Sequence, residues 1–219
     1  MKYYLRILGY IAGALAAGFI IYILTSQYPI FNARGSGDGF TGSELEVIER
    51  ADSIMRVLTI ESDSDLAILR AKSRDLSSDA LLSDEFSRLA ELMIATVTHP
   101  SQDGVGIAAP QVGLNRRVVA VQRFDKEGFP FEVYANIRII DYSDSLTVGP
   151  EGCLSVPDRR EDVVRSHEIV IEYTAVPDMM TLSEISIGKE KVRETVSGFT
   201  AVIFQHEIDH LDGILYIDR

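Results

Sequence analysis

The segment Gln205-His206-Glu207-Ile208-Asp209-His210-Leu211-Asp212-Gly213 is where the chain's chemistry concentrates. His206 and His210 are four apart, so on a helix they share one face, one turn apart, as two ligands of one metal ion do. Glu207 stands beside them, placed to move a proton to and from a water rather than to bind metal. Two of the four His in the chain fall in this pattern, flanked by Val202, Ile203, Phe204 and Leu211, which mark the helix as largely buried. A catalytic site of this kind keeps three protein ligands and one open position. Downstream of His210 only Asp212 and Asp218 offer a carboxylate, so the third ligand is expected from upstream. Cys153, the single Cys, is the natural candidate, in the Gly- and Pro-bounded turn GPEGCLSVP. A lone Cys is otherwise more often a small buried hydrophobe.

A third segment, GVGIAAPQVG, runs from Gly104 to Gly113. Its glycines superficially match a dinucleotide fingerprint, but a polar loop precedes it and Pro110 follows, so the strand–turn–helix context is missing. It reads instead as a tight backbone segment lining a cleft, with the Gln111 amide N–H offered to a developing oxyanion or, equally, satisfied within the core.

These side chains need a scaffold. The chain has 219 residues, 46% of them hydrophobic, enough for one ordinary domain with an appendage. One Cys excludes a disulfide framework. A net charge of −12 argues against direct nucleic-acid binding. Ser83 caps a helix with Phe86, Leu89, Met93 and Val97 on one face. Residues 117–124, 131–140, 169–174 and 191–196 read as strands, the last pairing with Glu184–Ile187 across Gly188-Lys189. Ser197-Gly198 opens the final helix, which stops at Gly213. The class is therefore α+β, short antiparallel or mixed strands around a central HExxH helix.

At the N-terminus, Ile7 to Leu24 is an uncharged, mostly apolar run preceded by Lys2 and Arg6. It reads as a membrane anchor rather than a cleaved signal, with the basic flank inside. Residues 26–42 read as a flexible linker. Residues 43–219 read as the catalytic domain, its core from about 55, opened by a capping box at Ser43 and Glu46.

The three segments in this order resemble peptide deformylase, whose motifs G-x-G-x-A-A-x-Q, E-G-C-x-S and H-E-x-x-H-x-x-G stand here as Gly104–Gln111, Glu151–Ser155 and His206–Gly213. The resemblance implies one divalent metal held by Cys153, His206 and His210, ferrous iron natively, with zinc, nickel and cobalt suited to the same donors. It implies hydrolysis of the formyl group from N-formyl-methionyl peptides or nascent chains, with Glu207 as general base and acid. The Gln111 amide and Leu154 backbone N–H would hold the oxyanion. It places Gly104, Val105, Gly106, Gly152 and Arg160 against the substrate, and pairs Arg165 with Glu151. Ordinary members of the family begin near Met55, so a start there, with a cytoplasmic enzyme, is the alternative to an anchored one; the capping-box helix upstream argues against it. Competing readings are an anchored HExxH endopeptidase, an amidohydrolase acting on another acyl-peptide, and a metal-holding binding protein; intact Glu207 and Gln111 speak against the last. Oligomeric state does not follow from the sequence.

Overall fold

The computed structural model describes residues 38–175 and 190–219. The apolar run 7–24, most of the expected linker and the expected strand at 184–187 lie outside these residues. Among the described residues no helix is long and apolar enough to cross a membrane.

Among the described residues five helices, seven strands and two short 3₁₀ turns follow one another. Helices α1 (Gly42–Arg50), α2 (Asp63–Leu69), α3 (Ser78–Leu81) and α4 (Asp84–Val97) come first. Strand β1 (Gly106–Ala108), a 3₁₀ turn (Ala109–Val112), β2 (Val118–Gln122) and β3 (Phe131–Tyr142) follow. Then come β4 (Leu146–Cys153), β5 (Val156–Ser166), β6 (Glu168–Thr174), β7 (Lys191–Ser197), α5 (Gly198–Leu211) and a closing 3₁₀ turn (Tyr216–Asp218). The strands form an antiparallel sheet in the order β1-β2-β3-β6-β7 and a separate hairpin, β4-β5. The α+β expectation with a final helix is met.

Alternation along β2 explains the apolar run Val118–Val121. Val118 and Ala120 face the core under α1 and α4, while Val119 and Val121 face the core under α5. A strand covered on both faces has no position for a polar residue. Helix α5 thus lies on one face of the sheet and ends where Gly213 turns with φ +73°; a Cβ there would stand 2.3 Å from the Arg70 carbonyl oxygen.

Two local expectations change. Thr41, not Ser43, caps α1, with Glu44 rather than Glu46 closing the capping box. The Cys153 turn is present, but two strands missing from the sequence reading flank it; Pro150, Pro157 and the charged run 158–162 hide them. Strand β7 pairs along its whole length with β6; its expected partner at 184–187 lies outside the described residues.

Residues 38–54 belong to the folded unit. Ile48 is buried in the core beside Leu89 and Met93. Arg116 is fully buried, and its guanidinium donates to Glu44 Oε1 and Oε2, both at 2.8 Å, and to the Gly39 carbonyl. A chain starting at Met55 would leave this cation without its carboxylate. Stripping one partner from a buried pair costs about 3–5 kcal/mol. Glu44→Ala should therefore lower the melting temperature by roughly 10 °C in a thermal unfolding scan, for a domain of this size. An unchanged melting temperature would mean that the Glu44–Arg116 pair is dispensable.

Candidate metal centre

Helix α5 has no polar face to turn to water. Ala201, Ile203, Phe204, Ile208 and Leu211 enter the core, and Gln205, Glu207, Asp209 and His210 are buried with them. Gln205 stitches the helix to β5, accepting from Ser166 N–H at 3.0 Å and donating to Ser166 O at 2.8 Å. With the helix fixed, the i, i+4 spacing sets the His206 and His210 rings 5.1 Å apart.

The third donor comes from the hairpin. Cys153 ends β4, just before the Leu154-Ser155 turn, and its Sγ lies 3.2 Å from His210 Nε2. The ligand atoms of Cys153, His206 and His210 all lie within 4.8 Å of one another. His206 Nδ1 is taken by Glu151 Oε2 at 2.7 Å, which leaves Nε2 for the donor set. His210 Nδ1 is buried without a partner. One sulfur and two imidazoles converging this closely fit a borderline-soft divalent cation. Zinc, ferrous iron, nickel or cobalt all meet that description.

Electrostatics sharpen the picture. Burial opposes the Glu151 charge, but Arg165, at 2.7 and 2.9 Å, and His206 outweigh it and hold the carboxyl down at about 2. Burial likewise opposes the charged form of His206, yet Cys153 and Glu151 raise it to about 10. His210 is driven the other way, well below the ordinary imidazole value, chiefly by burial. Glu207 is pushed up to about 7 by burial, and its Oε2 has no hydrogen-bond partner. A poised carboxyl without a protein partner suits proton transfer near neutral pH.

The cleft in front of these groups encloses about 720 Å³. Gly104, Val105 and Gly106 form one wall, Gly152, Leu154 and Arg160 another, and Gln111, Cys153, His206 and Glu207 close it. The structure therefore brings every expected site residue to one cleft except His210, which sits behind the wall at 1% exposure. Gln111 Oε1 accepts from the Ala108 N–H at 2.8 Å, which turns its Nε2 toward Ser155 Oγ and Cys153 Sγ, at 3.2 and 3.5 Å. Gly106 is a fit rather than a hinge: a Cβ there would come within 2.5 Å of Glu207 Oε1 and 2.9 Å of Ile203 Cγ2.

Sequence reasoning missed three contributors. Ser155 donates its N–H to Cys153 Sγ at 3.4 Å. Asp209 receives Arg165 Nη1 at 2.6 Å. Phe199, Val202 and Ile203 give the cleft an apolar side. The i, i+3, i+4 relation of Phe199, Val202 and Ile203, one turn before His206, was the available signal for that side. No spacing rule links Ser155 to Gln111, or Asp209 to Arg165.

Comparison with known proteins follows the same geometry. The polypeptide deformylase family model matches residues 54–219. Peptide deformylase 2 of Gloeobacter violaceus is 38% identical over 154 residues, covering 69% of this chain and 73% of that protein. The peptide deformylase of Finegoldia magna is 33% identical over 165 residues, covering 75% and 89%. A class I type b peptide deformylase from Acinetobacter baumannii, crystallised with Met-Ala-Ser, superposes with a TM-score of 0.63 at 34% identity, covering 76% of this chain and 98% of that one. The Thermotoga maritima enzyme gives 0.62 at 30% identity, covering 77% and 98%.

Glu207 provides a direct test of the electrostatics in metal-free protein. Its folded-state value is raised, so the folded state holds this proton more tightly than the unfolded chain does. The associated stability is complete below about pH 4.5 and is lost as pH rises through about 7. Glu207→Gln removes that titration. Relative to wild type, it should gain about 3 kcal/mol of stability between pH 4.5 and pH 8. Denaturant titrations of both proteins at the two pH values check this, and parallel pH profiles would refute it.

Proposed function

The chain belongs to the polypeptide deformylase family, hydrolases that remove the formyl group from N-terminal methionine, and we propose how its own residues carry out that reaction. Cys153, His206 and His210 hold one divalent metal. The observation that carries this reading is the convergence of their three donor atoms beside Glu207, at a cleft open to a peptide. The cation supplies Lewis acidity, making water a better nucleophile near neutral pH and polarising the formyl carbonyl. Ferrous iron is the native ion in this proposal; zinc, nickel and cobalt satisfy the same donors.

Glu207 accepts a proton from the attacking water as its oxygen bonds to the formyl carbon. It returns that proton to the amine nitrogen as the C–N bond breaks and formate leaves. Its elevated pKa supports both roles, because acceptor and donor forms are close in energy near pH 7. The oxyanion takes hydrogen bonds from Gln111 Nε2 and the Leu154 N–H. The Ala108–Gln111 contact supports this, since it fixes which end of the amide faces the cleft before substrate arrives.

Among the described residues strand β1 pairs only with β2, so its other edge is available to an added peptide strand. Gly104, Val105 and Gly106 offer main chain there, and Gly152 and Arg160 border the peptide from the hairpin side. The apolar side chains of Val202 and Ile203 suit a methionine side chain. Residues 7–24 are proposed as a membrane anchor on the length of their uncharged run. Recovery of the full chain in the alkaline-carbonate supernatant of a membrane fraction would refute the anchor. Family membership sets aside the endopeptidase and binding-protein alternatives.

The test is formate release from a formyl-Met tripeptide by the full chain, loaded anaerobically with Fe(II). Glu207→Ala should lower kcat by about 10²–10⁴-fold while keeping one metal per chain. Release that persists at the wild-type rate would remove Glu207 from the mechanism.

A further inference from the structure

The hydrogen bonds behind His206 run further than metal binding alone requires. Glu151 holds His206 Nδ1 and is itself gripped by Arg165 through Nε and Nη2. The remaining arm of Arg165, Nη1, reaches Asp209 Oδ2 at 2.6 Å. Asp209 in turn accepts from Arg219, through Nε at 3.0 Å and through Nη2. Two carboxylates and two guanidiniums therefore alternate in one line that ends on a metal-ligating imidazole. Glu151, Arg165 and Asp209 are buried, whereas the Arg219 side chain is 42% exposed. Arg219 also lines a recess of about 210 Å³ together with Arg165, Asp209 and Tyr142.

We infer that Arg219 is a positioning residue for the metal centre, acting on His206 through Asp209, Arg165 and Glu151. The reasoning is competitive. Arg165 is one planar fork shared between two carboxylates, and its position reflects the balance of their pulls. Arg219 satisfies Asp209 from the solvent side and so limits its claim on Arg165. Without Arg219, Asp209 is left with Arg165 as its only guanidinium, and water enters the recess. Arg165 then moves toward Asp209, Glu151 loses part of its clamp, and its hold on His206 Nδ1 loosens. Ligand imidazoles depend on that outer hydrogen bond for ring orientation and donor strength.

The inference rests on the metal-site reading above, and the experiment separates the two. The full chain, in detergent micelles, is titrated with Co(II) against a chromophoric chelator, and its visible spectrum is recorded. One Co(II) per wild-type chain, lost in His206→Ala, upholds the site; no such binding overturns the site and the inference together. Given the site, Arg219→Ala should weaken the Co(II) dissociation constant by about ten-fold, the low end for outer-shell partners, and shift the ligand-field bands. Arg219→Lys should recover most of that loss. A variant whose metal-free form melts lower, but whose Co(II) affinity and spectrum match wild type, would show a purely structural role and overturn the inference. Should Arg219→Ala fail to fold, Arg219→Gln, which keeps a hydrogen-bond donor without the charge, carries the same comparison.

Discussion

Helix α5 takes His206, Glu207, Asp209 and His210 out of bulk water within one turn of chain, and the cost of that transfer shapes everything packed around it. Three of the four groups are answered from outside the helix. Glu151 meets His206, Cys153 meets His210, and Arg165 meets Asp209. All three partners come from one hairpin, β4-β5, so the hairpin and the helix must dock in a single register. Glu207 Oε2, like His210 Nδ1, is left without a hydrogen bond, and burial raises the proton affinity of the carboxyl to about 7.

Three arginines next to β2 tie the layers together. Arg116 reaches α1 through Glu44. Arg117 donates to the Ile137 carbonyl on β3 and to Asp212 just past α5. Arg123 binds Asp125 and, on β7, Glu194, and its guanidinium lies 5.7 Å above the Phe204 ring on α5. Buried ion pairs of this kind contribute modestly to net stability, since desolvation offsets much of the attraction. Their effect here is geometric: each guanidinium fork accepts one arrangement of its layer and rejects slipped ones. The segment upstream of Met55 enters the fold by this route, since α1 supplies the carboxylate of Arg116.

The cleft shows the same economy of backbone. Gly106 has no Cβ because Glu207 and Ile203 occupy that space, so the β1 wall of the cleft is also the wall that leaves room for the Glu207 carboxyl. Gln111 closes a 3₁₀ turn through Ala108 and thereby presents its amide nitrogen to the cleft. Preorganised donors of this sort need no reorientation as charge develops on a substrate oxygen.

Local periodicity made part of this legible. The four-residue step between His206 and His210 fixes a shared helical face wherever the helix lies, and the Ser83 cap and the apolar stripe of α4 are equally local. The strands β2, β3, β6 and β7 could be read because β-branched and aromatic residues fill them. Cys153 emerged by the shortage of other donors, a matter of composition. Pairing across distance was not legible. Fifty-five residues separate Glu151 from His206, 72 separate Glu44 from Arg116, and 44 separate both Gln111 from Ser155 and Arg165 from Asp209. No periodicity spans such gaps, because which buried charge meets which partner depends on how layers dock. Even the choice of Thr41 over Ser43 as the cap followed that docking, since Glu44 must both close the capping box and face Arg116. The sequence determined which donors and acceptors the chain carries and which of them share a helix face. The tertiary structure decided which of them meet, because the desolvation of each buried charge is settled only when its partner arrives from another element.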